Sequence, residues 1–137
     1  MIVTAKLDFS AAHRLNNPER DVQWNRDTYD KCDNPAGHGH NYIIEVSVRG
    51  PMDPETGMVI DLKRLKDIVR QRVIDRVDHK HLNEDVDFLR GVIPTAENLA
   101  ISFWKQIAPA IDRGKLHQIV LHETGRNSVT FLGDDEP

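Results

Sequence analysis

The sequence has 137 residues, 39% of them hydrophobic, and this length suits a single compact domain spanning residues 1–137. Its 18 Lys and Arg residues against 22 Asp and Glu residues give a net charge of −4, which argues against a broad cationic surface for nucleic acid. The N-terminus lacks a basic-then-apolar signal region, and no apolar run approaches the ~18 to 20 residues that span a bilayer. These features predict a soluble cytoplasmic protein without nucleic-acid or membrane partners.

Alternating apolar and polar residues predict strands near both ends of the chain. The first covers residues 2–10 and leads into His13, and the second covers residues 40–49. Residues 116–123 and 128–132 flank a short turn and predict a hairpin that closes the sheet.

Two amphipathic helices are predicted between these strand pairs. Asp61 is a suitable N-cap for the first helix, which ends near Val77, and the second begins at Pro94 and Thr95. Residues 16–37 are polar without an apolar period and predict a long loop. The order strand, strand, helix, helix, strand, strand indicates an α+β fold, with an antiparallel sheet and both helices on one face.

A pair of histidines flanked by glycines begins the second strand. Residues two apart in an extended chain point the same way, so the imidazoles of His38 and His40 can approach one ion. His13, at the end of the neighbouring antiparallel strand, is the natural third ligand. Three histidines leave the fourth tetrahedral position of zinc open, which is typical of catalytic sites. The alternative is a set of solvated loop histidines.

Four other residues are candidates for chemistry. Cys32 is the only cysteine, so it forms no intrachain disulfide; it is either a small buried residue or a thiolate favoured by a nearby metal. Asp78 can fix the tautomer of His79 if the chain turns irregularly there, and otherwise the two mark an exposed helix end. Glu123 ends a strand, where its carboxylate can accept two hydrogen bonds from a guanidine-like heterocycle edge or remain solvated.

Six motifs extend this pattern over nearly the whole chain. They occupy residues 9–15, 32–42, 53–59, 78–83, 94–98 and 122–124. Together they resemble the 6-pyruvoyl-tetrahydropterin synthase family. The resemblance implies the tunnelling fold, in which each subunit supplies a four-stranded antiparallel sheet with two helices. It further implies that sheets of three subunits close into a barrel, that two trimers stack into a homohexamer, and that active sites lie between subunits.

The resemblance also implies a role for each candidate residue. The implied zinc ligands are His13, His38 and His40. The implied proton-transfer triad is Cys32, Asp78 and His79. The implied pterin contacts are Glu123, which anchors the ring, with Thr95 and Glu97 as secondary contacts.

The chemistry implied by the family starts from 7,8-dihydroneopterin triphosphate. Triphosphate is lost and hydrogen is redistributed within the molecule, so no external redox cofactor is needed. Zinc would polarise the side-chain hydroxyls, making the neighbouring C–H protons removable by a thiolate. Lys31 and Arg14 are the basic residues nominated for the triphosphate.

Alternatives to this activity remain open at the level of sequence. The sister 6-carboxytetrahydropterin synthase of the queuosine route shares the substrate, zinc and triad but also releases acetaldehyde. The five residues between Cys32 and His38 favour the pyruvoyl product. A non-catalytic zinc-bound interaction module and another pterin enzyme, of aldolase or cyclohydrolase type, are further alternatives. Ala96 departs from the family, whose members often carry a second threonine there.

Overall fold

A five-stranded sheet organises the chain, as seen in a computed structural model that describes residues 1–133. The strands are β1 (Ile2–His13), β2 (His38–Arg49), β3 (Lys80–His81), β4 (Lys115–His122) and β5 (Ser128–Phe131). Their order across the sheet is β3-β1-β2-β4-β5. β3 runs parallel to β1 and the other pairs are antiparallel, so the sheet is mixed.

The α+β class and the four predicted strands are confirmed, but the prediction of a purely antiparallel four-stranded sheet is wrong. The additional strand, β3, has two residues and pairs only with Ala11 and Ala12 of β1. Two residues are too few to show the alternation by which strands are detected in a sequence. The missed strand directly follows two candidate residues, Asp78 and His79.

The helices are α1 (Val22–Tyr29), α2 (Leu62–Val69), α3 (Asp75–Val77) and α4 (Ala96–Ile107). A π-helical turn, Arg70–Ile74, joins α2 to α3, so one helical segment runs from residue 62 to residue 77. Both predicted helix starts are confirmed. Asp61 accepts a hydrogen bond from the Lys63 N–H at 2.9 Å, and Thr95 accepts one from the Asn98 N–H at 3.2 Å. No helix within residues 1–133 is long and apolar enough to cross a membrane.

The predicted loop over residues 16–37 is wrong where it contains α1 and a 3₁₀ turn at Asp30–Asp33. Helix α1 has no apolar stripe, and its only buried residue is Asn25. The Asn25 amide donates hydrogen bonds to the Asn17 and Asp21 carbonyls at 3.0 and 2.9 Å. Because polar bonds hold this helix in place, hydrophobic periodicity could not reveal it.

The core lies on one face of the sheet, under α2 and α4, as predicted. Its largest fully buried side chains include Tyr42, Ile44, Leu65, Leu99 and Phe103. Phe9 stacks on Tyr42 with ring centroids 4.7 Å apart and meets Phe103 edge-on at 5.9 Å. Packing between alternate strand residues and the helices therefore fixes which side of each strand faces inward.

The end of the β1–β2 pair is shaped by Gly37, directly before β2. Its φ of 76° lies in the left-handed region, and a Cβ atom there would be 3.1 Å from both the His13 carbonyl oxygen and the His81 Nε2. A glycine at this position therefore lets the backbone approach the end of β1 closely.

We expect Gly37→Ala to destabilise the protein more than Gly57→Ala does. Gly57 has the same φ of 76° but no atoms within 4 Å of the added Cβ, so only the left-handed backbone is penalised, by ~1 to 2 kcal/mol. At Gly37 the crowding against His13 and His81 should add roughly 1 to 3 kcal/mol. Urea denaturation of both variants measures the difference, and equal losses would contradict close packing at Gly37.

Candidate active site

Three histidines meet at the end of the β1–β2 pair. His13 lies directly opposite His38 in the antiparallel register, and His40 lies opposite Ala11, two residues along on the same face. One ring nitrogen from each histidine falls within 4.8 Å of the other two. The predicted ligands are thus brought together by strand pairing and the period of two.

The hydrogen bonds of His13 orient its ring. His13 is fully buried, and its Nδ1 lies 2.8 Å from the Pro94 carbonyl oxygen, which can only accept a hydrogen bond. The proton of the neutral ring is therefore on Nδ1, and the Nε2 lone pair faces the cluster. A carbonyl behind a ligating histidine is the usual arrangement for fixing its tautomer at a metal site.

The cluster is electrostatically suited to a cation. Burial lowers the pKa of His13 to about 4, an effect opposed by the Pro94 hydrogen bond and reinforced by the neighbouring histidines. Burial also lowers the pKa of His40, with Glu123 opposing. Both rings are therefore neutral near pH 7, the form that binds metals.

Two features show that these residues fit a metal ion. The Nε2 atoms of His13 and His38 converge to 3.1 Å, so they form a hydrogen bond when the His38 Nε2 carries a proton and can bind one ion together when it does not. The Nε2 of His40 is buried without a hydrogen-bond partner among the described residues. A shared cation satisfies all three nitrogens at once, and three histidine ligands are typical of catalytic zinc.

Glu123 and Tyr42 complete the surroundings of the cluster. A Glu123 carboxylate oxygen lies 3.7 Å from the His40 Nε2, at the start of the turn that follows β4. The Tyr42 hydroxyl lies 3.3 Å from the His13 Nδ1, and burial with the nearby Glu123 carboxylate raises the pKa of Tyr42. The predicted pterin anchor therefore lies beside the three histidines of its own chain.

Cys32 approaches the same region from the 3₁₀ turn at Asp30–Asp33. Its backbone carbonyl accepts a hydrogen bond from the Leu15 N–H at 2.8 Å, two residues after His13. Burial raises the pKa of the Cys32 thiol, and the Glu123 and Asp30 carboxylates raise it further. A nearby cation would act in the opposite direction and favour the thiolate.

Asp78 and His79 form the irregular turn that their pairing requires. His79 has a φ of 60°, in the left-handed region, and its Nδ1 lies 3.0 Å from Asp78 Oδ1. The same carboxylate oxygen accepts a hydrogen bond from the Ser10 N–H at 2.9 Å, which is the main reason that the pKa of Asp78 is lowered, with His79 contributing. Within residues 1–133 neither side chain forms a hydrogen bond or ion pair with Cys32.

The remaining predicted contacts have different surroundings in the structure. The Thr95 hydroxyl caps α4, directly after the Pro94 carbonyl that orients His13. Glu97 is exposed in the first turn of α4. Of the nominated basic residues, Lys31 is exposed, whereas the Arg14 guanidinium contacts Asp33 at 3.1 Å.

Sequence reasoning missed two parts of this site. Tyr42 continues the series of His38 and His40 at a spacing of two, and this spacing could have identified it. The Pro94 carbonyl is a backbone group 81 residues from His13, and no side-chain pattern points to it.

The chain is similar to known proteins over nearly its whole length. The model of the family described as 6-pyruvoyl tetrahydropterin synthase matches residues 2–134. The 6-pyruvoyl tetrahydrobiopterin synthase of Poecilia reticulata is 42% identical over 132 residues, which cover 96% of this chain and 90% of the relative. The human protein of that name is 37% identical over 132 residues, covering 96% and 91%.

A solved structure and a more distant relative complete the comparison. The structure of Caenorhabditis elegans 6-pyruvoyl tetrahydropterin synthase matches with a TM-score of 0.90 and 39% identity, covering 98% of this chain and 97% of that one. The 6-carboxy-5,6,7,8-tetrahydropterin synthase of Rickettsia bellii is only 26% identical, covering 79% of this chain and 80% of the relative. The fold, the three converging histidines and these matches together show that the chain belongs to the 6-pyruvoyl tetrahydropterin synthase family.

Proposed function

We propose that this chain is a zinc-dependent 6-pyruvoyl-tetrahydropterin synthase, a lyase that converts 7,8-dihydroneopterin triphosphate with loss of triphosphate. The observation that carries the proposal is the convergence of His13, His38 and His40 beside Glu123 and the turn bearing Cys32. This arrangement combines an open-sided metal site with a thiol for proton transfer and a carboxylate for substrate orientation.

The three histidines would hold zinc through nitrogens that the fold already directs at one another. A zinc ion at such a site supplies a Lewis acid that polarises the hydroxyls of the substrate side chain. The Cys32 thiolate would remove a proton from the adjacent carbon and return it to another position. Glu123 would accept hydrogen bonds from the guanidine-like edge of the pterin, with Thr95 and Glu97 as secondary contacts.

Asp78 and His79 would act on the Cys32 of another subunit. The His79 side chain is 82% exposed and lines a cleft with Ser10 and Asn41, whose side chains alternate with the core residues of β1 and β2. Asp78 fixes the tautomer of His79, which suits the imidazole to exchanging protons. We therefore propose a homo-oligomer with active sites between subunits, specifically a homohexamer of two trimers.

The unpaired edge of β1 supports this assembly. β3 pairs only with Ala11 and Ala12, so residues 2–10 of β1 have no partner strand on that side within the described chain. Joining such edges between subunits in a closed ring removes exposed backbone donors and acceptors. Three sheets joined in this way would form a barrel.

The pyruvoyl product is favoured over the carboxy product by sequence distance. The pyruvoyl-forming relatives are 37 to 42% identical, whereas the carboxy-forming relative is 26% identical. Incubation of the zinc-loaded protein with dihydroneopterin triphosphate, followed by mass identification of the pterin, tests the proposal. Release of acetaldehyde would indicate the carboxy activity, and no turnover would indicate a binding module.

We expect His38→Ala and His40→Ala to lose most of the bound zinc, because each removes one of three ligands. His117→Ala is the matched control, since His117 lies on β4 in a separate cleft with Gly50 and Leu116. Elemental analysis of the three purified variants measures the metal. Full occupancy in both cluster variants would remove these residues from the ligand set.

Cys32→Ala should lower turnover at least about a hundredfold, because general acid–base groups typically contribute ~10² to 10⁴ in rate. Zinc content and pterin affinity should change little, since the variant leaves the histidines and Glu123 in place. Turnover, zinc and thermal midpoint are measured on one preparation. Near-wild-type turnover in folded, zinc-loaded Cys32→Ala would contradict the proton-transfer role.

If Cys32 of one subunit and His79 of another form one active site, variants of these two residues should complement each other. Cys32→Ala and His79→Ala oligomers should each be inactive, whereas co-expressed mixed oligomers, isolated through two different tags, should recover activity. In a random equal mixture about one quarter of the sites would combine an intact Cys32 with an intact His79 from a neighbour. If both residues served the same subunit's site, the mixed oligomers would remain inactive.

A further inference from the structure

A polar clamp joins the strand that carries His13 to the turn that carries Cys32. The Arg14 Nε donates a hydrogen bond to the Asp33 carbonyl at 2.8 Å, and its Nη2 lies 3.1 Å from Asp33 Oδ1. The Asn16 amide donates to the same carboxylate oxygen at 2.8 Å. With the Leu15 N–H on the Cys32 carbonyl, residues 14 to 16 hold residues 32 and 33 at four points.

Arg14 is itself held from the opposite side. The Asn83 side chain accepts a hydrogen bond from the Arg14 N–H and donates one to the Arg14 carbonyl, both at 2.8 Å. The arginine backbone is therefore fixed independently of its side chain. A fixed backbone lets the guanidinium place Asp33, and with it the adjacent Cys32, at a defined distance from the end of β1.

Burial distinguishes this pair from the other Arg–Asp contacts. The Arg14 and Asp33 side chains are 31% and 8% exposed, whereas those of Arg64 and Asp112, 3.3 Å apart, are 48% and 54% exposed. A carboxylate removed from water requires a partner, whereas exposed pairs contribute little. Helix capping, core packing and the histidine cluster do not account for a buried carboxylate on the residue that follows Cys32.

We propose that Arg14 and Asp33 are positioning residues that hold the Cys32 thiol in place relative to the histidine cluster. This inference rests on the proposed role of Cys32 in proton transfer. Arg14 thereby has a role in positioning the thiol, which replaces the sequence-based prediction that it contacts the triphosphate.

Changes of charge at Arg14 and Asp33 should also alter the pKa of Cys32. Arg14→Lys keeps one positive charge, but a lysine ammonium cannot reproduce the planar fork that reaches both the Asp33 carbonyl and its carboxylate. The Asp33 carboxylate, one residue along the chain from Cys32, would then be less well neutralised. Asp33→Asn keeps an oxygen acceptor but removes the negative charge, which leaves the Arg14 guanidinium unbalanced. The two variants should thus change the pKa of Cys32 in opposite directions.

The test compares zinc-loaded wild-type protein with Arg14→Lys, Asp33→Asn and the exposed-pair control Arg64→Lys. Since Cys32 is the only cysteine, the rate of alkylation by iodoacetamide as a function of pH reports on this thiol alone. The Glu123 and Asp30 carboxylates also act on the thiol, and they are unchanged in every variant. Values of kcat, KM and zinc content are measured on the same preparations.

We expect Arg14→Lys to raise the alkylation midpoint and to lower kcat about tenfold or more, with KM and zinc unchanged. Asp33→Asn should lower the midpoint, and Arg64→Lys should match the wild type. Unchanged midpoints, or shifts in the same direction, would overturn the inference. Zinc loss from Arg14→Lys would also overturn it, because the residue would then act through His13.

Failure of the proposed activity and failure of the role of Arg14 and Asp33 give different results. If Arg14→Lys does not fold, the direction of the Asp33→Asn shift decides. If the wild type shows no turnover, the proposed activity is wrong, and the opposed alkylation shifts still decide whether Arg14 and Asp33 position the thiol.

Discussion

β1 and β2 pair along 12 consecutive residues, from Ile2 opposite Arg49 to His13 opposite His38, and this register decides which side chains enter the site. A slip of one residue would turn every side chain of one strand to the other face and separate His13 from its partners. The register is fixed by burial of apolar side chains on the helix-covered face. Phe9 stacks on Tyr42 directly beyond the cluster, and the Tyr42 ring lies 5.7 Å from that of His40. Core packing and the histidine cluster therefore depend on the same two strands.

Polar contacts hold two further segments, the Cys32 turn and residues 78–83, at the end of β1. On one side, Arg14 and Asn16 hold the Cys32 turn through Asp33. On the other side, residues 78–83 follow β1 through hydrogen bonds to Ser10 and Ala12, ending at Asn83. These contacts lie outside the hydrophobic core, so they place side chains precisely without contributing much buried apolar area. A rigid sheet thus presents irregular segments, as is common at catalytic sites.

The elements that could be predicted from sequence are those with a repeating pattern. The four longer strands follow from alternation, and α4 follows from an apolar stripe behind its Thr95 cap. Helix α1 and strand β3 were missed because a buried Asn25 and a two-residue pairing leave no period. At the site, the His38 and His40 spacing predicted the cluster, whereas the Pro94 carbonyl and the Arg14 clamp depend on contacts between segments distant in sequence. Such contacts arise only when the chain is folded.

The left-handed turn at His79 imposes two separate demands on one position. The backbone requires a residue that tolerates a φ of 60°, and asparagine tolerates this region about as readily as histidine. The proposed proton transfer requires an imidazole, which asparagine lacks. His79→Asn would therefore keep the turn and the Ser10 contacts while removing the acid–base group. In evolutionary terms, a descendant of this chain can lose its chemistry here by a conservative-looking change that leaves the architecture intact and free to acquire another role.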